Sequence, residues 1–195
     1  EVINDSCRCI DEEVEKLFEE KPKKIETINL CKQEDAYFID ILNDTIKAVK
    51  RAGADAIKLQ TYTADTLTLD CNLPDFTINN GSLWDGRTYY DLYKEAYTPW
   101  EWHAELFRIA EEEGLIIFST PFDKTAVDFL ETLDNPIYKI ASFEITDIPL
   151  IEYAASKMKP IVLSTGIAQI EDIELAIDTC REVGNNDITL LKCTS

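Results

Sequence analysis

Three lysines stand where a soluble protein rarely keeps them. Lys139 interrupts the apolar run Pro136-Ile-Tyr-Lys-Ile-Ala-Ser-Phe-Glu144. Lys58 lies in Ala54-Asp-Ala-Ile-Lys-Leu-Gln-Thr61, and Lys192 in Asp187-Ile-Thr-Leu-Leu-Lys-Cys-Thr-Ser195. Each run reads as a parallel strand covered on both faces, and a lysine is almost never fully buried unless it is paired or used. Gln60 follows Lys58 by two residues and so shares its strand face. Thr120, Ser142 and Ser164 stand at the ends of their own runs, with Glu144 just beyond. Ammonium groups gathered with hydroxyl donors would hold a di- or trianion such as a phosphate with a carboxylate. Without such a ligand, three charged lysines would repel strongly in a low dielectric. Outward-pointing lysines that snorkel or pair with a nearby carboxylate are the plainer alternative. The repetition at equivalent strand positions favours the pocket.

The elements needed to bring those ends together follow from the pattern of the chain. Periodicity predicts helices over residues 11–20, 38–51, 99–113, 124–133, 149–157 and 171–183. It predicts strands over 54–61, 115–119, 137–141, 161–163 and 188–193, with a weak first strand over 25–30. Residues 62–98 read as a long irregular insertion whose aromatic content argues for an ordered, packed loop. Strand and helix alternate without a linker-like break, which means βα units on a parallel sheet in one domain. No Gly-x-Gly-x-x-Gly follows a strand, and residues capable of chemistry recur at nearly every strand end. Both points favour a (β/α) barrel of TIM type over a dinucleotide fold. Counted from the weak strand, the lysines fall on strands two, four and six, where inward side chains share one layer.

Composition narrows the partners. The 195 residues carry 38 Asp and Glu against 19 Lys and Arg, a net charge of −19. Nucleic acid and acidic membrane surfaces are therefore excluded as general partners. The longest apolar runs are strand-length, so no transmembrane helix is expected, and the acidic opening residues do not read as a secretory signal. Six cysteines (7, 9, 31, 71, 180 and 193) show only one C-x-C and no zinc-site spacing. They read as reduced thiols of a cytoplasmic protein. Lone His103 reads as a helix-surface or internally satisfied histidine, and a single histidine builds neither a two-histidine metal site nor a Ser-His-Asp triad. Trp84, Trp100 and Trp102 read as packing residues.

Six motifs in order carry a resemblance. Gly53-Ala-Asp-Ala-Ile-Lys-Leu-Gln-Thr-Tyr62, Thr98-Pro-Trp-Glu-Trp-His103, Phe118-Ser-Thr-Pro-Phe-Asp123, Tyr138-Lys-Ile-Ala-Ser-Phe-Glu144, Ser164-Thr-Gly166 and Leu191-Lys-Cys-Thr-Ser195 together resemble the sialic acid synthase family. Gly81-Ser-Leu-Trp-Asp-Gly-Arg87, and lysine before Cys193, look most like its pseudaminic acid synthase branch. The resemblance implies condensation of phosphoenolpyruvate with an N-acetylated amino-sugar aldehyde to a nine-carbon 2-keto acid. It implies that Lys58, Lys139 and Glu144 act in catalysis. Gln60, Thr120, Ser142, Ser164 and Lys192 would bind substrate, and Glu144 would contact the sugar. A divalent cation, Mn2+ or Mg2+, is implied, with its histidine ligands outside this chain.

The resemblance also sets limits. The family's first strand ends in Glu-x-x-x-Asn-His, where this chain has Leu30, Glu34 and Asp35. The expectation is thus an incomplete barrel of about six βα units, with residues 1–37 divergent and the family's C-terminal antifreeze-like domain absent. Self-association through an open, apolar barrel edge is a further expectation. Two other readings stay open: a Schiff-base aldolase using Lys139 or Lys192, and a non-enzymatic fragment that at most binds an anion.

Overall fold

Residues 33–193 are described by a computed structural model, with side chains from residue 38 onward. The helix expected over 11–20, the strand over 25–30, the position of Leu30 and the side chains of Glu34 and Asp35 lie outside what is described. Five strands alternate with helices: β1 Ala56–Thr61, β2 Ile116–Pro121, β3 Tyr138–Ile140, β4 Ile161–Ser164 and β5 Ile188–Leu191. They form one sheet in the order β1-β2-β3-β4-β5, and the pairings of β2 with β3, β3 with β4 and β4 with β5 are parallel. Neighbouring strands are thus consecutive in sequence, as in an incomplete TIM-type barrel. No helix among the described residues is long and apolar enough to cross a membrane.

Contacts divide the chain into two compact units. In the first, which takes residues up to Ile57 with Glu101–Ile117, α1 (Gln33–Arg51) supplies buried Ile46, Ala48 and Val49. Leu106, Ile109 and Ala110 are its buried residues from the helix of residues 100–112, and Phe38 stacks on Trp102 at 5.7 Å. Gly53 and Gly114 have φ of 85° and 68°, a backbone region that side-chain-bearing residues disfavour at helix ends. His103 is fully buried and holds an interaction partner, which agrees with a satisfied histidine rather than a surface one.

The second unit takes Lys58–Trp100 and Phe118–Ser195. Its core is formed by Tyr138 and Ile140 of β3, Ile161 and Leu163 of β4, and the apolar faces of α5 (Lys124–Glu131), α6 (Ile148–Ala155) and α7 (Ile170–Glu182). The helices preceding these are α2 (Ala64–Leu67), α3 (Tyr89–Ala96) and α4 (Trp100–Glu112). Asp123 caps α5 by accepting from the backbone N–H groups of Thr125 and Ala126, and Asp147 caps α6 through Leu150. Those side chains satisfy donors a helix start leaves unpaired. Buried polar groups lock the strands: the Thr61 and Ser119 hydroxyls lie 2.7 Å apart, and Asn135 accepts from the Ser119 N–H at 3.0 Å. The Asn135 amide also donates to the Ile137 carbonyl at 2.7 Å.

Three expectations need correction. The lysine strand is not covered on both faces, since Tyr138 and Ile140 are buried whereas Lys139 between them is half-buried. Successive side chains of a strand point to opposite faces of the sheet, so Tyr138 and Ile140 share one face and Lys139 takes the other. Lys192 and Cys193 do not lie within a strand; they follow the end of β5 and are exposed. The insertion 62–98 is partly helical, holding α2, α3 and a 3-10 turn at Pro74–Phe76. Its ordered character comes from Asp85, whose carboxylate accepts from the backbone N–H groups of Asn80, Gly81 and Ser82.

Candidate functional site

Strands β1 to β4 and the segments that follow β3 and β5 carry the polar side chains singled out above. Lys58 and Gln60 lie on β1, Thr120 on β2, Lys139 on β3 and Ser164 on β4. Ser142 follows β3, and Glu144 opens a single 3-10 turn, Glu144–Thr146. In parallel strands of consecutive order, the C-terminal ends share one rim of the sheet.

Lys58 and Lys139 are electrostatically coupled. Burial lowers the proton affinity of Lys58 first, and repulsion by Lys139 lowers it further. Although more than a third of Lys58 is open to solvent, protein packs closely enough about its ammonium to remove part of its hydration. Lys139 is lowered by burial, against the pull of Cys193 and Glu144. Two destabilised cations on the strands that flank β2 form a place where added negative charge is favourable.

Two buried polar atoms on the same unit have no partner. Thr120 is fully buried, and its Oγ1 has no hydrogen-bond partner. Glu144 Oε2 is likewise buried and without a partner. Such atoms are uncommon in folded proteins because each forgoes the hydrogen bond it had in water. Burial raises the pKa of Glu144, with Lys139 opposing that shift and Asp147 adding to it. Ser142 and Cys193 close around Gly166: a Cβ placed on that glycine would lie 3.1 Å from the Cβ and Sγ of Cys193 and from Ser142 Cβ. The loops after β3, β4 and β5 therefore meet at a point where only hydrogen fits comfortably.

Gln60 and Glu144 share a cavity of about 390 Å³ whose other walls include Tyr62, Tyr93, Phe122 and Phe143. That volume suits a small-molecule site. The rings support one another, with Tyr62 edge-on to Phe122 at 5.5 Å and to Tyr93 at 6.0 Å. None of these aromatic walls was singled out from sequence. A signal existed for two of them, because Tyr62 continues the Lys58–Gln60 alternation and Phe122 follows Thr120 by two. For Tyr93, in the insertion, there was no periodic signal.

Metal ligation does not fit. Among the described residues no group of three or more His, Cys, Asp or Glu side chains could hold an ion, so no chemical step is derived through the expected divalent cation.

Comparison with known proteins bears on the family and the fold. Residues 45–195 match the NeuB family. The chain is 48% identical over 174 residues to a pseudaminic acid synthase of Helicobacter pylori, covering 89% of this chain and 50% of that protein. It is 34% identical over 162 residues to an N,N'-diacetyllegionaminic acid synthase of Legionella pneumophila, covering 80% of this chain and 45% of that protein. The crystal structure of an N-acetylneuraminic acid synthetase from Leptospira borgpetersenii in complex with citrate is similar at a TM-score of 0.69 and 25% identity. The similarity covers 81% of this chain and 50% of that one. The chain thus spans about half the length of the curated relatives it matches.

Proposed function

Because the chain belongs to the NeuB family, we propose that it derives from an enzyme condensing phosphoenolpyruvate with an N-acetylated amino-sugar aldehyde, to give a nine-carbon 2-keto acid and phosphate. The observation that carries this reading is the coupled pair Lys58 and Lys139, with the unpartnered Thr120 hydroxyl on the strand between theirs. Phosphoenolpyruvate brings up to three negative charges, and two lowered ammonium groups gain most from such a ligand. Ser142 and Ser164 add hydroxyl donors, and Lys192 adds a further cation beyond β5. Gln60 and Glu144 turn the adjoining aromatic cavity into a place for the aldehyde partner.

The step follows from the charges. C3 of phosphoenolpyruvate attacks the aldehyde carbon, water adds at C2, and the C2–O bond to phosphate breaks to leave the ketone. Lys58 and Lys139 orient the anion and stabilise the negative charge that moves during attack. The divalent cation associated with this chemistry has no ligand set among the described residues, and none of these roles depends on it. Small molecules in a cytoplasmic setting complete the reading. Pairing of two chains along β5, where Leu190 and Leu191 are 45% and 43% exposed, belongs to it as well.

Titration calorimetry with phosphoenolpyruvate tests the proposal. The chain is expected to bind, and Lys58→Ala or Lys139→Ala each to weaken binding at least about tenfold, as removal of a desolvated charge partner does. A folded chain that releases no heat at millimolar ligand would overturn it.

A second reading rests on Lys139, whose proton affinity burial lowers, since the free-base amine is the nucleophile toward a ketone. Condensation of the amine with a 2-keto acid expels water, and borohydride reduction would then leave Lys139 heavier by the substrate's mass less one oxygen. An unmodified peptide removes that reading.

A further inference from the structure

Tyr93 and Glu144 line one cavity with complementary hydrogen-bonding needs. Glu144 offers acceptor oxygens, of which Oε2 is buried and unpartnered. Tyr93 offers a phenolic O–H. Burial, followed by the influence of Tyr89 and Glu144, keeps that phenol protonated above its ordinary range, so it remains a donor at neutral pH. The ring is held in place by stacking on Tyr89 at 6.2 Å and by its edge contact with Tyr62 at 6.0 Å. Phe122 and Phe143 supply apolar wall, and Phe143 is 73% exposed at the cavity.

A secondary amide bearing a methyl group matches this set. It needs an acceptor for its N–H, a donor for its carbonyl oxygen and an apolar surface for the methyl. A hydroxyl in the same position would leave the aromatic wall unused. We propose that Tyr93, carried on α3 within the insertion after β1, is a specificity residue that reads the acylamino group of the acceptor sugar. Its hydroxyl donates to the acyl carbonyl, Glu144 accepts from the amide N–H, and Phe122 and Phe143 contact the methyl. This rests on the acceptor being an N-acylated amino sugar, as argued above.

Ligand-observed saturation-transfer NMR tests it on this chain, with N-acetylmannosamine as probe and mannose as the hydroxyl analogue. Transfer is expected to the acetyl methyl. Tyr93→Phe should weaken N-acetylmannosamine roughly fivefold to tenfold, the scale of one hydrogen bond, and leave mannose and phosphoenolpyruvate affinities unchanged. A merely structural role would move all three together. Phe143→Ala, at an exposed position, provides a second variant in which methyl transfer is lost without a folding defect.

An unchanged preference for the acetamido sugar in Tyr93→Phe overturns the assignment. So does a chain that binds phosphoenolpyruvate but shows no acetyl transfer. Tyr93-dependent sugar binding without phosphoenolpyruvate binding would instead overturn the phosphoenolpyruvate reading and uphold Tyr93. Absence of both removes both.

Discussion

Lys58 and Lys139 repel one another from the two strands that flank β2, and they differ in what offsets that repulsion: Glu144 favours the charged form of Lys139, whereas burial and Lys139 both oppose that of Lys58. Lys139 thus has partial compensation and Lys58 has none of that kind. A bound anion would benefit Lys58 most, so Lys58→Ala is expected to cost more phosphoenolpyruvate affinity than Lys139→Ala when the two are compared by calorimetry.

The same lysines set a pH dependence. Each has a folded-state pKa below its ordinary value of 10.5, so between the two values the unfolded chain holds more protons than the folded one. Stability contributed by these groups therefore rises with pH through that window. Phosphoenolpyruvate binding runs the opposite way, because it needs the charged forms. Lys58→Met should raise the melting temperature while weakening ligand binding, and should flatten the alkaline part of the stability profile. Thermal unfolding from about pH 7 to pH 10 checks the sign.

Asn135 tests the strand lock. Its side chain accepts from the Ser119 N–H and donates to the Ile137 carbonyl in a fully buried setting. Asn135→Ala removes both bonds and strands a buried N–H, at a cost of about 2–4 kcal/mol. Urea unfolding should show that loss as a lower midpoint.

Gly166 tests the meeting of three strand-end loops. A methyl group there would press on Cys193 and on Ser142 at 3.1 Å. Cys193 is exposed and can move aside, so Gly166→Ala is expected to cost only about 1 kcal/mol of stability. Displacement of Ser142 should nevertheless weaken phosphoenolpyruvate severalfold, and a calorimetric titration beside a melting curve separates the two effects.

Two cysteines should differ sharply toward iodoacetamide. Cys180 is fully buried and its thiol is pushed up to about 11 by burial, which leaves little thiolate at about pH 8. Cys193 is exposed. Peptide mass spectrometry over time should show Cys193 alkylated at least about tenfold faster than Cys180.

The order of elements was legible because periodicity records burial locally. The strands at 161–163 and 54–61 were found within two residues of β4 and β1. Strand ends were harder. Apolar residues continued the β5 pattern toward Lys192 and Cys193, although the strand itself stops at Leu191, because pairing with β4 ends there and no side-chain type reports it. In the insertion, α3 was missed because Tyr89–Ala96 is short and none of its residues is fully buried.

The sequence by itself determined the family, through motifs specific enough to place it, and marked lysines and hydroxyls on the strands as candidates for chemistry. These are properties of residue type and spacing, which survive without coordinates. Only the tertiary structure decided which groups act on one another. Lys58 and Lys139 are brought within each other's field by β1 and β3, far apart in the chain and set on either side of β2. Tyr62, Tyr93, Phe122 and Glu144 become walls of one cavity through packing across four separate segments. A cavity is the space between such segments, and no local pattern along the chain encodes it.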